Sequence, residues 1–153
     1  MFEFRFELKY LEFNQQNNLS ISSINNYGNI TSPKTLVTYH TPSCLEYYNQ
    51  NLTMCAPESI TGLQAKHTYH VGNLYDLQVY WDKPLQEPDN YTLEIDLHGD
   101  DDQIYVLHVP GNRTEVIIPN LDLGPQYVVC IAADSLGGTS LPEIIVKNLD
   151  IKH

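Results

Sequence analysis

The stretch from Leu121 to Pro142, LDLGPQYVVCIAADSLGGTSLP, constrains this chain more than any other. Tyr127, Val129, Ile131 and Ala133 alternate with Val128, Cys130 and Ala132, the period of two that turns one set of strand side chains toward a core and the other away from it. Leu121 stands six residues before Tyr127, and Gly124-Pro125 between them supplies a turn. A tyrosine placed just after such a connection can bury its ring while its hydroxyl bonds backbone a few residues upstream. That arrangement, a tyrosine corner, locks two sheets together. After the strand, Gly137-Gly138 permits a reversal with positive backbone angles, and Thr139, Ser140 and Pro142 lead into a further apolar run, Ile144 to Val146.

Leu121, Tyr127-x-Val129-x-Ile131-x-Ala133 and Gly138-x-Ser140-x-Pro142 together resemble the closing half of a fibronectin type III domain. The resemblance extends over residues 57–148. It implies an all-β, immunoglobulin-like sandwich of seven antiparallel strands without enzymatic activity of its own, found mostly in extracellular parts of receptors, adhesion molecules and matrix proteins. The upstream residues fit that expectation, beginning with Ile60-Thr61-Gly62-Leu63 as a first strand. Tyr75 to Trp81 follows as the second, its exit marked by Asp82-Lys83-Pro84. Tyr91, Leu93, Ile95 and Leu97 make a third, Ile104 to Val109 a fourth, and Val116, Ile118 and Leu121 the inward side of a fifth. The expected core is Trp81, Leu121, Tyr127, Val129 and Ile131, with Trp81 as its largest single contributor.

Alanine, leucine and glutamate-lysine patterning at helical spacing is nearly absent, so no helix is expected. Charge is uneven: from position 57 onward fifteen Asp and Glu stand against five Lys and Arg, while residues 1–56 hold four against three. The acidic part would repel a phosphate backbone, which excludes nucleic acid as a partner. No signal peptide or membrane span is legible, because charges at Glu3, Arg5, Glu7 and Lys9 follow Met1 and no charge-free apolar run is long enough. Five Asn-x-Ser/Thr acceptors, at Asn18, Asn29, Asn51, Asn90 and Asn112, nevertheless exceed the one or two that chance gives, at roughly this composition. The two signals are reconciled if the chain is a fragment of a secreted or cell-surface parent.

Residues 2–10, FEFRFELKY, alternate apolar and charged side chains as a half-buried strand does. Shifting the sequence by 110 places superimposes Phe6 on Val116, Leu8 on Ile118, Leu11 on Leu121, Leu19 on Val129, Ile21 on Ile131 and Gly28 on Gly138. Residues 1–42 thus resemble the last three strands of a preceding repeat, although Asn17 stands where Tyr127 has its counterpart. Residues 43–56 are expected as a linker, 57–148 as the complete domain and 149–153 as a tail. In an oxidising compartment Cys44 and Cys55 most simply pair, closing a loop of twelve residues. A zinc site using both thiolates and His40 is the competing reading, but no fourth ligand has the usual spacing. Cys130 alternates outward and is left as a free thiol, or as a partner for Cys55 or another chain.

Catalytic and metal patterns are weak. The turn His98-Gly99-Asp100-Asp101-Asp102 lacks the alternate spacing of a calcium loop and reads as a solvated hairpin tip. His67-x-x-His70 reads as two exposed imidazoles. No nucleophile elbow, phosphate loop or Cys-x-x-Cys occurs. The expectation is a module with no cofactor and no membrane contact within this chain, binding a protein ligand or receptor subunit, with Asp96 and the turn Asp100, Asp101 and Asp102 facing a basic partner. The parent would be a receptor, such as a receptor tyrosine kinase or phosphatase, or an adhesion molecule; the alternatives are a passive spacer and a repeat appended to an extracellular enzyme.

Overall fold

The computed structural model describes residues 5, 7–25, 27 and 30–150. The chain divides into two compact units, Met1–Asn49 and Gln50–His153.

In the first unit, β1 (Gln16–Ile21) and β2 (Thr35–His40) form an antiparallel pair with Leu19 opposite Val37. Thr41 ends the pair. Its buried hydroxyl donates to Glu12 O (2.6 Å) and accepts from Gln15 N (2.8 Å), which satisfies backbone that the ladder no longer serves. The four-residue helix α1 (Cys44–Tyr47) departs from the expectation of no helix. Ser43 and Glu46 form a reciprocal capping box around its first turn, the one helix signal short enough to escape a search for helical periodicity. The strand expected over residues 2–10 does not form in the described part: Arg5 and residues 7–10 carry no strand, and Tyr10 takes a φ of 63°, incompatible with an extended run. Phe2, Phe4, Phe6 and Gly28 lie outside the described residues.

The second unit is a two-sheet sandwich. One sheet runs β3 (Gln64–Tyr69), β4 (Tyr75–Tyr80), β7 (Glu115–Leu121). The other runs β10 (Glu143–Asn148), β8 (Gln126–Ser135), β5 (Asn90–Asp96), β6 (Ile104–Pro110), with the two-residue β9 (Gly138–Thr139) also on β8. Seven principal strands, three facing four, match the architecture that the resemblance implies. Leu77, Val79, Leu93, Ile95, Val129 and Ile131 are fully buried between the sheets, together with Tyr91 and Tyr127. Each pair skips one residue, as the two-residue strand period demands.

Two details depart from simple alternation. Leu121 is three residues from Ile118, yet both are buried. A register shift in the β4–β7 pairing and a φ of 58° at Asn120 restore Leu121 to the inner face, while Asp76 Oδ1 accepts the Asn120 N–H at 3.1 Å. The first strand lies beyond its expected place. Ile60 to Leu63 carries no strand because Gly62 turns the chain with a φ of 67°, although Ile60 and Leu63 are buried as core residues. The strand that pairs with β4 starts at Gln64.

Residues 52–55 pack on the turn between β8 and β9. Gly137 N donates to Leu52 O (2.9 Å), Ser135 Oγ donates to Cys55 O (3.2 Å), and a Cβ on Gly137 would stand 2.3 Å from the Cys55 backbone. Only glycine fits there.

Candidate interaction surface

Tyr127 is fully buried, but its hydroxyl does not make the backbone bond of a tyrosine corner. It lies 2.8 Å from Nδ1 of His67, sixty residues upstream on the opposite sheet. Alternation on β3 turns Ala65 and His67 inward, so His67 is half-buried rather than exposed, and its ring meets Tyr127 and Tyr75 edge-on. The result still ties the two sheets together, by a side chain instead of a main-chain acceptor. Burial first, then the Lys147 charge, lowers the His67 pKa against the opposing effect of Asp150, while burial pushes the Tyr127 phenol up to about 12. Both shifts favour a neutral imidazole bound to a neutral phenol. A histidine whose folded pKa lies below its unfolded value contributes its full stability above about pH 6.5 and loses it as pH falls from there toward the folded pKa. The expected result is a decline in unfolding free energy between pH 7 and pH 5 that His67→Gln flattens, read from denaturation midpoints across that range.

Cys44 and Cys55 are disulfide-bonded and Cys130 is free. The bridge removes both thiolates from the zinc reading with His40. Among the described residues, no group of three His, Cys, Asp or Glu is placed to hold a metal ion. His70 is exposed and stands 3.8 Å from Asp76. Trp81, Leu121, Val129 and Ile131 are buried in the sandwich.

The sugar acceptors differ in availability. Asn18, Asn51 and Asn112 are exposed, and Asn29 lies outside the described residues. Asn51 Oδ1 accepts from both N (2.9 Å) and Oγ1 (2.7 Å) of Thr53. Asn90 is half-buried: its Nδ2 donates to Asp134 Oδ2 (3.2 Å), the same oxygen that accepts from Thr92 Oγ1 (2.7 Å).

At the β5–β6 hairpin the carboxylates divide by role. Asp96 is buried, and its side chain accepts backbone N–H groups from His98 (3.3 Å), Gly99 (2.9 Å) and Asp101 (3.0 Å). These bonds, Asp101's foremost, hold its pKa below the usual carboxylate value. Asp96 therefore shapes the turn and does not face a partner as expected from sequence. Asp100, Asp101 and Asp102 are exposed at the tip.

The outer faces of the two sheets are unlike. On the three-stranded sheet, register aligns Gln64 with Tyr80, Lys66 with Gln78 and Thr68 with Asp76, then Tyr80 with Glu115 and Gln78 with Ile117. That face is polar apart from Ile117 and Tyr80. On the four-stranded sheet, one outward row reads Val146, Val128, Asp96, Ile104 and the next Ile144, Cys130, Glu94, Val106. Ile144, Val146, Val106 and Ile104 are 56%, 55%, 53% and 50% exposed, too open to count as core. Sequence reading missed this face. Its signal was present in IYVLHV and EIIVK, where apolar residues occupy both parities of the strand instead of one.

No protein-family model matches the chain. It is 30% identical over 141 residues to the tyrosine-protein kinase receptor torso of Drosophila melanogaster, an alignment that takes in 90% of this chain and 15% of that receptor's length. Among solved structures, the fibronectin domains one to three of chicken contactin superpose with a TM-score of 0.51 at 13% identity, covering 90% of this chain and 42% of that one. A segment of two fibronectin type III domains from chicken tenascin gives 0.50 at 16% identity, covering 94% and 70%. The chain has the fibronectin type III fold.

Proposed function

We propose that this chain is a non-catalytic, protein-binding segment of an extracellular receptor, with a receptor tyrosine kinase such as torso as the kind of parent. The observation that carries this reading is the 30% identity to a receptor across 90% of the chain. A disulfide between Cys44 and Cys55 supports an oxidising compartment, where such bonds persist. No helix among the described residues is long and apolar enough to cross a membrane. Residues 1–42 act as the closing strands of a preceding repeat, residues 43–56 as its connection, and residues 57–148 as the complete repeat. The apolar outer face of the four-stranded sheet favours a binding role over a passive spacer, for which a polar exterior on both faces suffices.

A cell-binding assay tests the proposal. The secreted chain, fluorescently labelled and tetramerised, is expected to bind intact cells saturably, and trypsin treatment of those cells is expected to abolish the signal. Binding that survives removal of surface protein, or no saturable binding, would contradict it. The acidic turn contributes to encounter: replacing Asp100, Asp101 and Asp102 by Asn is expected to slow association and flatten its dependence on ionic strength, with little change in dissociation. Surface plasmon resonance against solubilised surface protein reads both rates.

A further inference from the structure

We propose that the outer face of the four-stranded sheet, with Ile104, Val106, Val128, Ile144 and Val146 around Glu94, docks a protein partner that presents apolar side chains around an arginine or lysine. The inference rests on the receptor-segment reading above and names the surface and the chemistry of its partner. Strand register builds the patch. Ile144 and Val146 on β10 lie beside Cys130 and Val128 on β8, then Glu94 and Asp96 on β5, then Val106 and Ile104 on β6. Every strand side chain turned outward in these two rows is apolar except Glu94, Asp96 and the neutral Cys130 thiol. Asp96 is already satisfied by backbone N–H groups. Burial and the neighbouring Glu94 charge raise the Cys130 pKa, which keeps that thiol an uncharged part of the surface.

Charge decides the occupant. No lysine or arginine stands in these rows, so a partner that covers Glu94 must bring its own cation or leave a desolvated carboxylate unpaired, a costly outcome. Four strands about 4.8 Å apart and three residues along each at about 3.4 Å give a patch on the order of 200 Å², well short of the roughly 800 Å² per partner in a standard interface. Contact must therefore extend, and the turn Asp100 to Asp102 directly continues the β5 and β6 edge of the patch. A second copy of this chain would bring Glu94 and the same acidic turn against themselves, and the residues from 57 onward carry fifteen acids against five bases. A basic, apolar protein surface meets the patch and the turn together. Edge strand β6 offers IYVLHV with four of its side chains exposed, Ile104, Tyr105, Val106 and His108, an unblocked border along which such a partner can align.

Two synthetic β-hairpin peptides test the assignment, both with valine and isoleucine on one face and differing only in a central arginine or glutamate. Each is titrated into the ¹⁵N-labelled full chain. The arginine peptide is expected to shift amides in 92–96, 104–108, 128–132 and 144–146, with affinity about tenfold or more above that of the glutamate peptide, and Glu94→Lys is expected to reverse the order. Equal affinity for both peptides, shifts centred on another face, or no shifts would overturn the proposal. So would sedimentation showing a dimer whose formation perturbs these same amides, since a second copy would then be the occupant. Those failures leave the receptor-segment reading standing, because the cell-binding assay decides it separately.

Discussion

Trp81→Ala is expected to lower the unfolding free energy of the sandwich by about 3–5 kcal/mol, the cost of removing a large buried ring and leaving a cavity. Trp81 stands just past the end of β4, with 4% of its surface exposed. Its backbone N–H donates to Thr114 O at 3.1 Å, so the position is fixed by main chain as well as packing. The indole meets the Tyr91 ring at a centroid distance of 5.0 Å and an angle of 65°, an edge contact between residues of opposite sheets. Removing it opens the space between the layers, where relaxation is limited because Tyr91, Leu93 and Ile95 are themselves fully buried. Urea denaturation followed by far-ultraviolet circular dichroism measures the effect without the lost fluorophore. Leu85→Ala, at a residue 84% exposed, is the control and should stay within about 0.5 kcal/mol of the parent. Equal midpoints for Trp81→Ala and the parent would contradict the core assignment.

Replacing Cys44 and Cys55 together by serine is expected to destabilise the segment they enclose by about 3 kcal/mol, from the chain entropy that a twelve-residue closed loop removes from the unfolded state. Cys55 is 2% exposed and its N–H donates to Asn51 O at 3.1 Å, while Gly137 N holds Leu52 O. Hydrogen exchange at Cys55 and Gly137 should therefore accelerate, by about a hundredfold when local opening carries the whole loss. Unchanged exchange at both amides would show that packing against the β8–β9 turn orders the segment without the bridge. Mass mapping of the unreduced parent should recover a peptide joining Cys44 to Cys55, with Cys130 alkylated; a peptide joining Cys55 to Cys130 would contradict this pairing.

The parts of the fold legible in the sequence were those where burial is one-sided and regular. Strands β4, β5 and β8 bury every second side chain and could be read from Leu77-x-Val79, Tyr91-x-Leu93-x-Ile95 and Tyr127-x-Val129-x-Ile131. Strand β3 hides from the same test. Its inward residues are only Ala65 and His67, neither strongly apolar, so Ile60 and Leu63 attracted the strand assignment although Gly62 bends the chain between them. The acceptor for Tyr127 was equally hidden. A hydrogen bond over sixty residues depends on how the sheets are stacked, which local spacing does not encode. Aspartates in a turn look alike in sequence, and only the backbone geometry separates Asp96, enclosed by N–H groups, from the exposed Asp100, Asp101 and Asp102. The outer face was missed for a different reason: reading strands for one buried side discards the other, and apolar residues at both parities of β6 and β10 carry information about a second covering layer.

Protein recognition through the four-stranded sheet is tested most directly by a footprint of Cys130, the free cysteine at the centre of that face. The rate of its alkylation by a maleimide is measured by mass spectrometry on the chain free in solution and on the chain bound to intact cells. Docking over Glu94 and Val128 predicts that the bound thiol reacts at least about tenfold more slowly, since a closed interface core excludes solvent and reagent. Saturable binding with Cys130 alkylated at the free rate would contradict the account, by showing that the partner is held on another surface.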